Sequence, residues 1–524
     1  MAANLRRQPP AGKRGIVAAV GGAKLTFAMS STPPPESAGS APARRYERWI
    51  RTCDRLGRWL GDRRGRIPLD NFAKYLTVVT ILVVLLSWSL NFERLQETRD
   101  VMFKSATGTA FMVFGQLFLL CNIVYLVWQV WLFRQYKPWP PLSDRRLPTC
   151  SVIVPAYNEG RQVLGTLRSL CASDYPPEKV QIIAVDDGSK DDTWAWICEA
   201  KRELGDRISV IKQPRNMGKR HALYAGILKS TGDVLVTVDS DSIVEPRTLR
   251  LMCGGFIHDA KVGAVAGNVR VLNLHEGIIP RMLDVSFVFS FHFIRASQSL
   301  VNTVMCTPGA LSAYRRDVLF IKVQSEGKET TVLEEWLNQK FMGRDANIGE
   351  DRAMTNLILR EGYHVHFQED AVVYTNVPTR YRNLCNMLIR WARSNVRENI
   401  SMSTFTFRKF REGPMSGARI NLVQQMFAMV VPPLFLCAIM LCLLWKPHVF
   451  LLHILIGTAI WSSVPAIIYA MRHRSSEALW AYAYGGFYFA ALSWINAYAL
   501  FTMHRSGWLT RQEPSTPTAT PPAA

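Results

Sequence analysis

Three short clusters of acidic and polar residues each follow an apolar run of the chain. They are residues 155–159 (PAYNE), 185–189 (VDDGS) and 238–241 (VDSD). Two carboxylates two residues apart, such as Asp239 and Asp241, can converge on one hard divalent cation, the kind of ion that neutralises a nucleotide diphosphate. A solvated turn explains any one cluster equally well, but three in succession favour a single binding site.

Two further motifs carry charges suited to group transfer. Lys219 and Arg220 (GKRH, 218–221) stand where a helix is expected to begin, and their charges suit a diphosphate bound at the anion-attracting helix start. The segment 347–352 (NIGEDR) precedes a helical pattern, and a carboxylate there can act as a general base on an acceptor hydroxyl. An exposed basic pair and ordinary helix capping by aspartate are the alternatives.

The elements that must position these motifs form an alternating pattern. Apolar runs typical of buried strands cover residues 150–155, 180–185, 207–212, 233–238 and 261–267. Helix-like segments lie between them at 163–171, 193–204 and 221–229. This alternation predicts a mostly parallel sheet in an α/β fold of the nucleotide-binding type, in which ligands gather at the carboxyl ends of the strands. His364 and His366 alternate in a strand-like run and are interpreted as structural.

An amphipathic helix is predicted at residues 384–397. Its apolar face holds Leu384, Met387, Leu388 and Trp391, and its polar face holds Asn386, Arg390, Arg393 and Arg397. Such a helix suits the membrane interface, with its cationic face toward the active site or lipid head groups. A similar helix is predicted at 280–298, where polar residues share one face: Arg281, Asp284, His292 and Arg295. Simple packing onto the α/β domain is the alternative for both.

Long apolar stretches predict a multi-pass membrane protein. They cover residues 75–90, 109–133, 421–445, 449–471 and 479–503. The resulting division of the chain is a basic, disordered cytosolic N-terminus (1–70), two transmembrane helices (71–133), the α/β domain (148–378), interface helices (379–416), about three transmembrane helices (420–503) and a tail (504–524). Five crossings from a cytosolic start put the tail outside, unless one late segment is re-entrant or residues 479–503 are not a simple crossing.

The formal net charge of +21 has two readings, nucleic-acid binding or membrane orientation. Arginines crowd residues 44–66 before the first apolar stretch, and four basic residues follow the second at 134–146. By the positive-inside rule this pattern places the α/β domain in the cytosol, and we expect the membrane to be the plasma (inner) membrane. No nucleic-acid-binding motif is present. The 10 cysteines show no Cys-x-x-Cys spacing, so neither disulfides nor zinc are predicted.

With these motifs in order, residues 148–400 and the flanking apolar stretches resemble the processive family 2 glycosyltransferases. That group includes the hyaluronan, chitin-oligosaccharide, poly-N-acetylglucosamine and cellulose synthases. The resemblance implies a GT-A fold, a Rossmann-like α/β domain, joined to transmembrane and interface helices. It also implies UDP-sugar donors, a growing polysaccharide as acceptor, a lipid bilayer as environment and Mg²⁺ or Mn²⁺ as cofactor. It names no protein partner.

The resemblance also implies a role for each motif. The donor-binding positions are Tyr157 and Glu159 near the uracil and ribose, Asp187 at the uridine, Lys219 and Arg220 at the diphosphate, Asp239 at the sugar nucleotide, and Arg390 at the leaving phosphates. Asp241 is assigned to the metal ion, and Asp351 to the general base. The acceptor positions are Trp391, Thr307 and Glu350.

Two departures from the family pattern bear on the polymer. Met387 replaces the glutamine of the motif Gln-x-x-Arg-Trp, and Thr307 falls where hyaluronan synthases have the cysteine of Cys-Ser-Gly-Pro. Residues 390–394 (RWARS) resemble chitin-oligosaccharide synthases, whereas 508–511 (WLTR) resemble the tail of hyaluronan synthases. A hyaluronan synthase-like enzyme is therefore the leading hypothesis. The alternatives are a chitin or poly-N-acetylglucosamine synthase, then a mannuronan or glucan synthase, a non-processive lipid-linked transferase, or an inactive scaffold.

Overall fold

The computed structural model describes residues 69–505 except residue 326. The predicted N-terminus up to residue 68, the tail from residue 506 and the motif at 508–511 lie outside the described residues. Three helices open the described chain: α1 (Leu69–Leu90), α2 (Phe92–Phe103) and α3 (Ala106–Gln135). Helix α3 is long and apolar enough to cross a membrane. Residues Lys74–Leu90 and Phe92–Phe103 meet this criterion only as a pair bent by 65°.

The centre of the described chain is an eight-stranded sheet with two small hairpins beside it. The strands are β1 (Cys150–Ala156), β2 (Val180–Asp186), β3 (Ile208–Lys212), β4 (Val234–Val238), β5 (Ser242–Val244), β6 (Val262–Val271), β7 (Leu311–Arg315), β8 (Lys322–Ser325), β9 (Lys328–Thr331), β10 (Lys340–Phe341), β11 (Arg344–Asp345) and β12 (His364–Thr375). The sheet order is β3-β2-β1-β4-β7-β6-β12-β5. Strands β3, β2, β1 and β4 are parallel, as are β6 and β12, whereas β5 and β7 run antiparallel to their neighbours. The prediction of an α/β fold is confirmed.

Helices cover both faces of this sheet. In chain order they are α4 (Gln162–Cys171), α5 (Thr193–Leu204), α6 (Lys219–Lys229), α7 (Thr248–His258), α8 (Ile278–Phe287), α9 (Ile294–Ser299), α10 (Arg316–Leu319), α11 (Val332–Leu337) and α12 (Glu350–Arg360). Every residue of β1 is buried. Since successive strand side chains point to opposite faces, Val152 and Val154 join one apolar core and Ile153 joins the other. This two-sided burial explains why the strand reads as a continuous apolar run.

Further α-helices follow the sheet in the described chain. They are α13 (Tyr381–Thr406), α14 (Ser416–Trp445), α15 (Pro447–His473), α16 (Trp480–Phe487) and α17 (Trp494–Thr502), with a π-helical turn at Tyr488–Leu492. Helices α14 and α15 are apolar enough to cross a membrane. The π-helical turn interrupts the stretch 479–503 between α16 and α17. The stretch packs on α13, where Tyr381 donates to the Ala491 carbonyl (2.7 Å) and Arg393 donates to Thr502 (3.0 Å). The number of crossings stays a prediction.

Candidate active site

A cavity of about 590 Å³ lies at the carboxyl ends of β1, β2 and β4. Ten of the predicted site residues line it: Tyr157, Glu159, Asp187, Lys219, Asp239, Asp241, Glu350, Asp351, Arg390 and Trp391. The parallel strands explain this convergence, because their carboxyl ends lie at one edge of the sheet. The cavity therefore joins the three strand-end clusters to the helix starts at Lys219 and Glu350 and to one turn of α13.

The end of β2 is tied to the start of α6 through one carboxylate. Asp187 accepts hydrogen bonds from the backbone N–H groups of Met217 (2.9 Å) and Gly218 (2.8 Å). Burial raises the pKa of Asp187, although these two hydrogen bonds and nearby His221 oppose the rise. Both carboxylate oxygens thus support the loop that delivers Lys219, in addition to facing the cavity.

Lys219 is held between two carboxylates that are far apart in sequence. Its Nζ atom lies 2.6 Å from Asp239 and 3.1 Å from Glu350. Burial favours a neutral amine, but the two carboxylates outweigh it and raise the pKa of Lys219. The ammonium group therefore keeps its charge at the centre of the cavity and links the strand end of β4 to the start of α12.

Asp351 occupies the next position of α12 and has a different environment. Its Oδ2 atom accepts the Gly309 N–H (3.2 Å) and lies 3.7 Å from the Cys306 sulfur. Burial is the largest cause that raises the pKa of Asp351, and the negative charge of Glu350 raises it further. For Glu350 burial also raises the pKa, but Lys219 and Arg390 lower it by more. The pKa values of these neighbouring carboxyl groups are thus shifted in opposite directions. This difference suits Asp351 to act as a base and Glu350 to balance positive charge.

The start of α12 depends on a close approach by α13. Gly349 has φ +71°, and a Cβ atom there would lie 2.6 Å from Ser394 Cβ and overlap the Ser394 hydroxyl. Arg397 donates to the Ile348 carbonyl just before this turn. Glycine is thus required both for the left-handed backbone and for the contact between the two helices.

We expect Gly349→Ala to destabilise the protein by about 1–3 kcal/mol beyond the backbone strain alone, because the added methyl group overpacks the α12–α13 contact. Gly343→Ala is the matched control, since Gly343 has φ +75° with open space around the added Cβ. Thermal unfolding of the purified variants measures the difference. Equal losses of stability in the two variants would show that no close contact restrains position 349.

Helix α13 presents only part of its predicted cationic face to the cavity. Arg390 and Trp391 line the cavity. Arg393 stacks on Tyr498 (5.4 Å to the ring centroid), and Arg397 is 2 % exposed against the backbone before α12. Met387 is 7 % exposed and lines the cavity as part of an apolar core. Arg393 and Arg397 thus attach α13 to neighbouring parts of the protein.

Arg220 and Thr307 lie behind the cavity wall. Arg220 is 4 % exposed, and its guanidinium donates to the Trp336 carbonyl and to Gln339. Thr307 is fully buried, with its hydroxyl in contact with Tyr314 (3.1 Å) and Thr355 (2.9 Å). Neither residue is among those that line the cavity, so their assignments to the diphosphate and the acceptor stay predictions.

Sequence reasoning missed several residues of the wall, chiefly Phe291, Arg295, Cys306 and Arg352. A π-helical turn at Val288–Phe293 separates α8 from α9 and changes the helical register. Asp284 consequently pairs with Tyr469 (2.8 Å) and His292 with Glu369 (3.2 Å), whereas Arg295 faces the cavity. Because regular helix periodicity puts Arg281, Asp284, His292 and Arg295 on one face, the sequence pattern did not distinguish Arg295 from the other three.

A family model and two similar proteins identify one family for this chain. Residues 148–394 match the family model described as "Glycosyltransferase like family 2". An N-acetylglucosaminyltransferase of Mesorhizobium japonicum is 30% identical over 382 residues, covering 71% of this chain and 84% of the relative. A hyaluronan synthase of Streptococcus pyogenes serotype M3 is 30% identical over 400 residues, covering 75% and 89%. A Pyrobaculum calidifontis mannosyltransferase structure in complex with GDP-Man and Mn²⁺ is 20% identical, covering 70% and 97%, with a TM-score of 0.47.

Proposed function

Because the chain belongs to glycosyltransferase family 2, whose α/β domain is the GT-A fold, we propose that it is a membrane-embedded, processive, inverting β-glycosyltransferase. It polymerises sugars from UDP-sugar donors and translocates the product, as a hyaluronan synthase-like enzyme. The observation that carries the proposal is a single cavity that contains Asp351, the ion pairs of Lys219 with Asp239 and Glu350, and Trp391. Apolar helices before and after this domain support a multi-pass protein at the plasma membrane with a cytosolic catalytic domain.

The proposed reaction is an in-line displacement at the donor's anomeric carbon. Asp351 removes the proton of the acceptor hydroxyl, and the hydroxyl oxygen forms the new glycosidic bond as the bond to UDP breaks. Lys219 and Arg390 stabilise the charge that develops on the departing diphosphate. Trp391 offers its ring to the sugar at the end of the acceptor chain. Arg220 acts indirectly in this scheme by fixing the α11 end beside α6.

The strand ends supply the donor subsite. Tyr157, Glu159 and Asp187 hold the nucleoside, and Asp239 and Asp241 offer carboxylate oxygens of the kind that Mg²⁺ or Mn²⁺ prefers. Both carboxylates line the same cavity as the nucleoside positions, so the donor set fits a divalent cation. Such an ion neutralises the diphosphate when bound.

The proposed base predicts the acid limb of the pH–rate profile. Asp351 acts only as a carboxylate, so its raised pKa makes kcat/KM fall with decreasing pH from a higher pH than an ordinary aspartate would give. We expect Glu350→Gln to move this limb to lower pH, because the Glu350 charge raises the pKa of Asp351. Glu361→Gln, a change outside the cavity on the C-terminal side of α12, serves as control. An unmoved limb in Glu350→Gln would contradict the assignment.

Product sizing tests the proposed function. The full-length enzyme is incubated with single and paired radiolabelled UDP-sugars and Mg²⁺ or Mn²⁺, and the product is digested with hyaluronidase, chitinase and cellulase. A long polymer that requires two donors and is cut by hyaluronidase supports the proposal. A chitinase-sensitive product from one donor supports the second candidate, a chitin or poly-N-acetylglucosamine synthase, which the 30% identical N-acetylglucosaminyltransferase favours. A single sugar on lipid would contradict processive synthesis.

A further inference from the structure

Two buried arginines lie near Asp351. Arg295 is 6 % exposed and Arg352 is 4 % exposed, and both line the cavity. Within the described residues neither has a carboxylate at ion-pair distance. Arg352 donates to three amide oxygens, of Asn395, Asn399 and Gln425, which orient it without neutralising its charge. Lys219, by contrast, has two carboxylate partners.

Arg295 also has unused hydrogen-bonding capacity. Its Nη1 atom is buried and has no partner within residues 69–505 as described. The guanidinium lies over the Phe291 ring (4.2 Å to the centroid) and beside the Cys306 thiol. An unpaired buried charge is costly, and a ligand that brings the opposite charge removes that cost. A planar carboxylate matches the guanidinium because it accepts two parallel hydrogen bonds.

The surroundings of Arg295 indicate which substrate would bring the charge. Phe291 lies 6.0 Å from Trp391, and Phe287 lies 6.2 Å from Trp391, between ring centroids. These three rings line the cavity and offer a platform for the apolar face of a sugar. Cys306 contacts both Arg295 and Asp351, so a sugar on this platform has its hydroxyl near the base and its substituents near Arg295. The nucleoside positions lie at the strand ends instead.

We propose that Arg295, supported by the charge of Arg352, binds the carboxylate of a uronic acid at the end of the acceptor chain. This inference rests on the proposed function and adds an acidic acceptor to it. In the corresponding step the neutral donor sugar is joined to a uronate-ended chain, the bond to UDP breaks, and Asp351 takes the acceptor proton. The carboxylate itself is not consumed.

Two tetrasaccharides that differ only in charge test the subsite in the full-length enzyme. One is a hyaluronan tetrasaccharide with a terminal glucuronate, and the other is the same molecule with its carboxylates reduced to alcohols. Calorimetry in the presence of UDP and Mn²⁺ measures their binding, and the transfer of N-acetylglucosamine from its UDP donor gives kcat and KM. UDP released by donor hydrolysis, without a tetrasaccharide, reports turnover independently of the acceptor.

The wild-type enzyme is expected to bind the acidic tetrasaccharide about tenfold or more tightly than the reduced one. Arg295→Gln should erase this preference by weakening binding of the acidic tetrasaccharide alone, and Arg295→Lys should restore part of it. Arg281→Gln, a control outside the cavity, should keep the wild-type preference. Melting temperatures establish that each variant is folded.

Three results would overturn the subsite. The first is equal binding of the two tetrasaccharides by the wild-type enzyme. The second is equal weakening of the two ligands by Arg295→Gln, which a purely structural role predicts. The third is a higher KM for UDP-glucuronate in Arg295→Gln, which assigns the carboxylate to the donor. A charge preference that depends on Arg295 in an enzyme without UDP release would keep the subsite and contradict the proposed function instead.

Discussion

Replacing Asp351 by asparagine is expected to lower sugar transfer by about 100- to 10,000-fold, the range that general acid–base groups contribute. Asparagine keeps the shape of the side chain, and its amide cannot accept the proton of the acceptor hydroxyl. UDP affinity should stay close to the wild-type value, because the residues proposed to bind the nucleoside, Tyr157, Glu159 and Asp187, follow the strand ends. Single-turnover transfer and equilibrium UDP binding, measured on the same preparation, separate the two effects.

Asp345→Asn is the control for that experiment. Asp345 is an exposed carboxylate in the β10–β11 hairpin, six residues before Asp351, and does not line the cavity. The Asp345→Asn variant should transfer sugar at the wild-type rate. Wild-type turnover in Asp351→Asn would remove Asp351 from the role of base, and a parallel loss of UDP binding would show that the side chain acts on the donor.

Replacing Asp241 by asparagine is expected to weaken the metal-dependent part of UDP binding by about tenfold or more, because one charged oxygen ligand is lost. Asp241 is the sharper test of the metal proposal than Asp239. The latter also pairs with Lys219, so its loss would change two interactions at once. Calorimetric titration of UDP with Mn²⁺ and with EDTA measures the metal-dependent difference directly.

The control for the metal experiment is Asp206→Asn, which removes a fully exposed carboxylate that pairs with Lys201 on the surface of the domain. Its UDP binding should keep the full dependence on Mn²⁺. If Asp241→Asn also keeps that dependence, the cation is held elsewhere, and the strand-end carboxylates serve only the nucleotide.

The strands of the parallel half of the sheet were predictable because they are buried on both faces. The run at 180–185 corresponds to β2, Val180–Asp186, and that at 233–238 corresponds to β4, Val234–Val238. Strand β7, Leu311–Arg315, was not predicted. Its sequence, LSAYR, lacks an apolar run, and its antiparallel insertion between β4 and β6 is set by long-range pairing.

The sequence predicted site residues that follow strand ends or begin helices. It did not predict whether a given side chain points into the cavity or into the core. Lys219 and Arg220 are adjacent on one helix, so their side chains leave it about 100° apart. Lys219 lines the cavity, whereas Arg220 donates to the Trp336 carbonyl and to Gln339. In the same way Cys306 lines the cavity while its neighbour Thr307 is turned into the core. Arg295 was hidden by the π-helical turn before it.

The most direct test of the central claim is UDP release by the purified full-length protein. Paired UDP-sugars with Mn²⁺ or Mg²⁺ should give sustained release, in step with the growth of a product much larger than a single sugar. EDTA should stop both. No release from any common UDP-sugar, with either metal, would contradict this function and favour an inactive membrane scaffold.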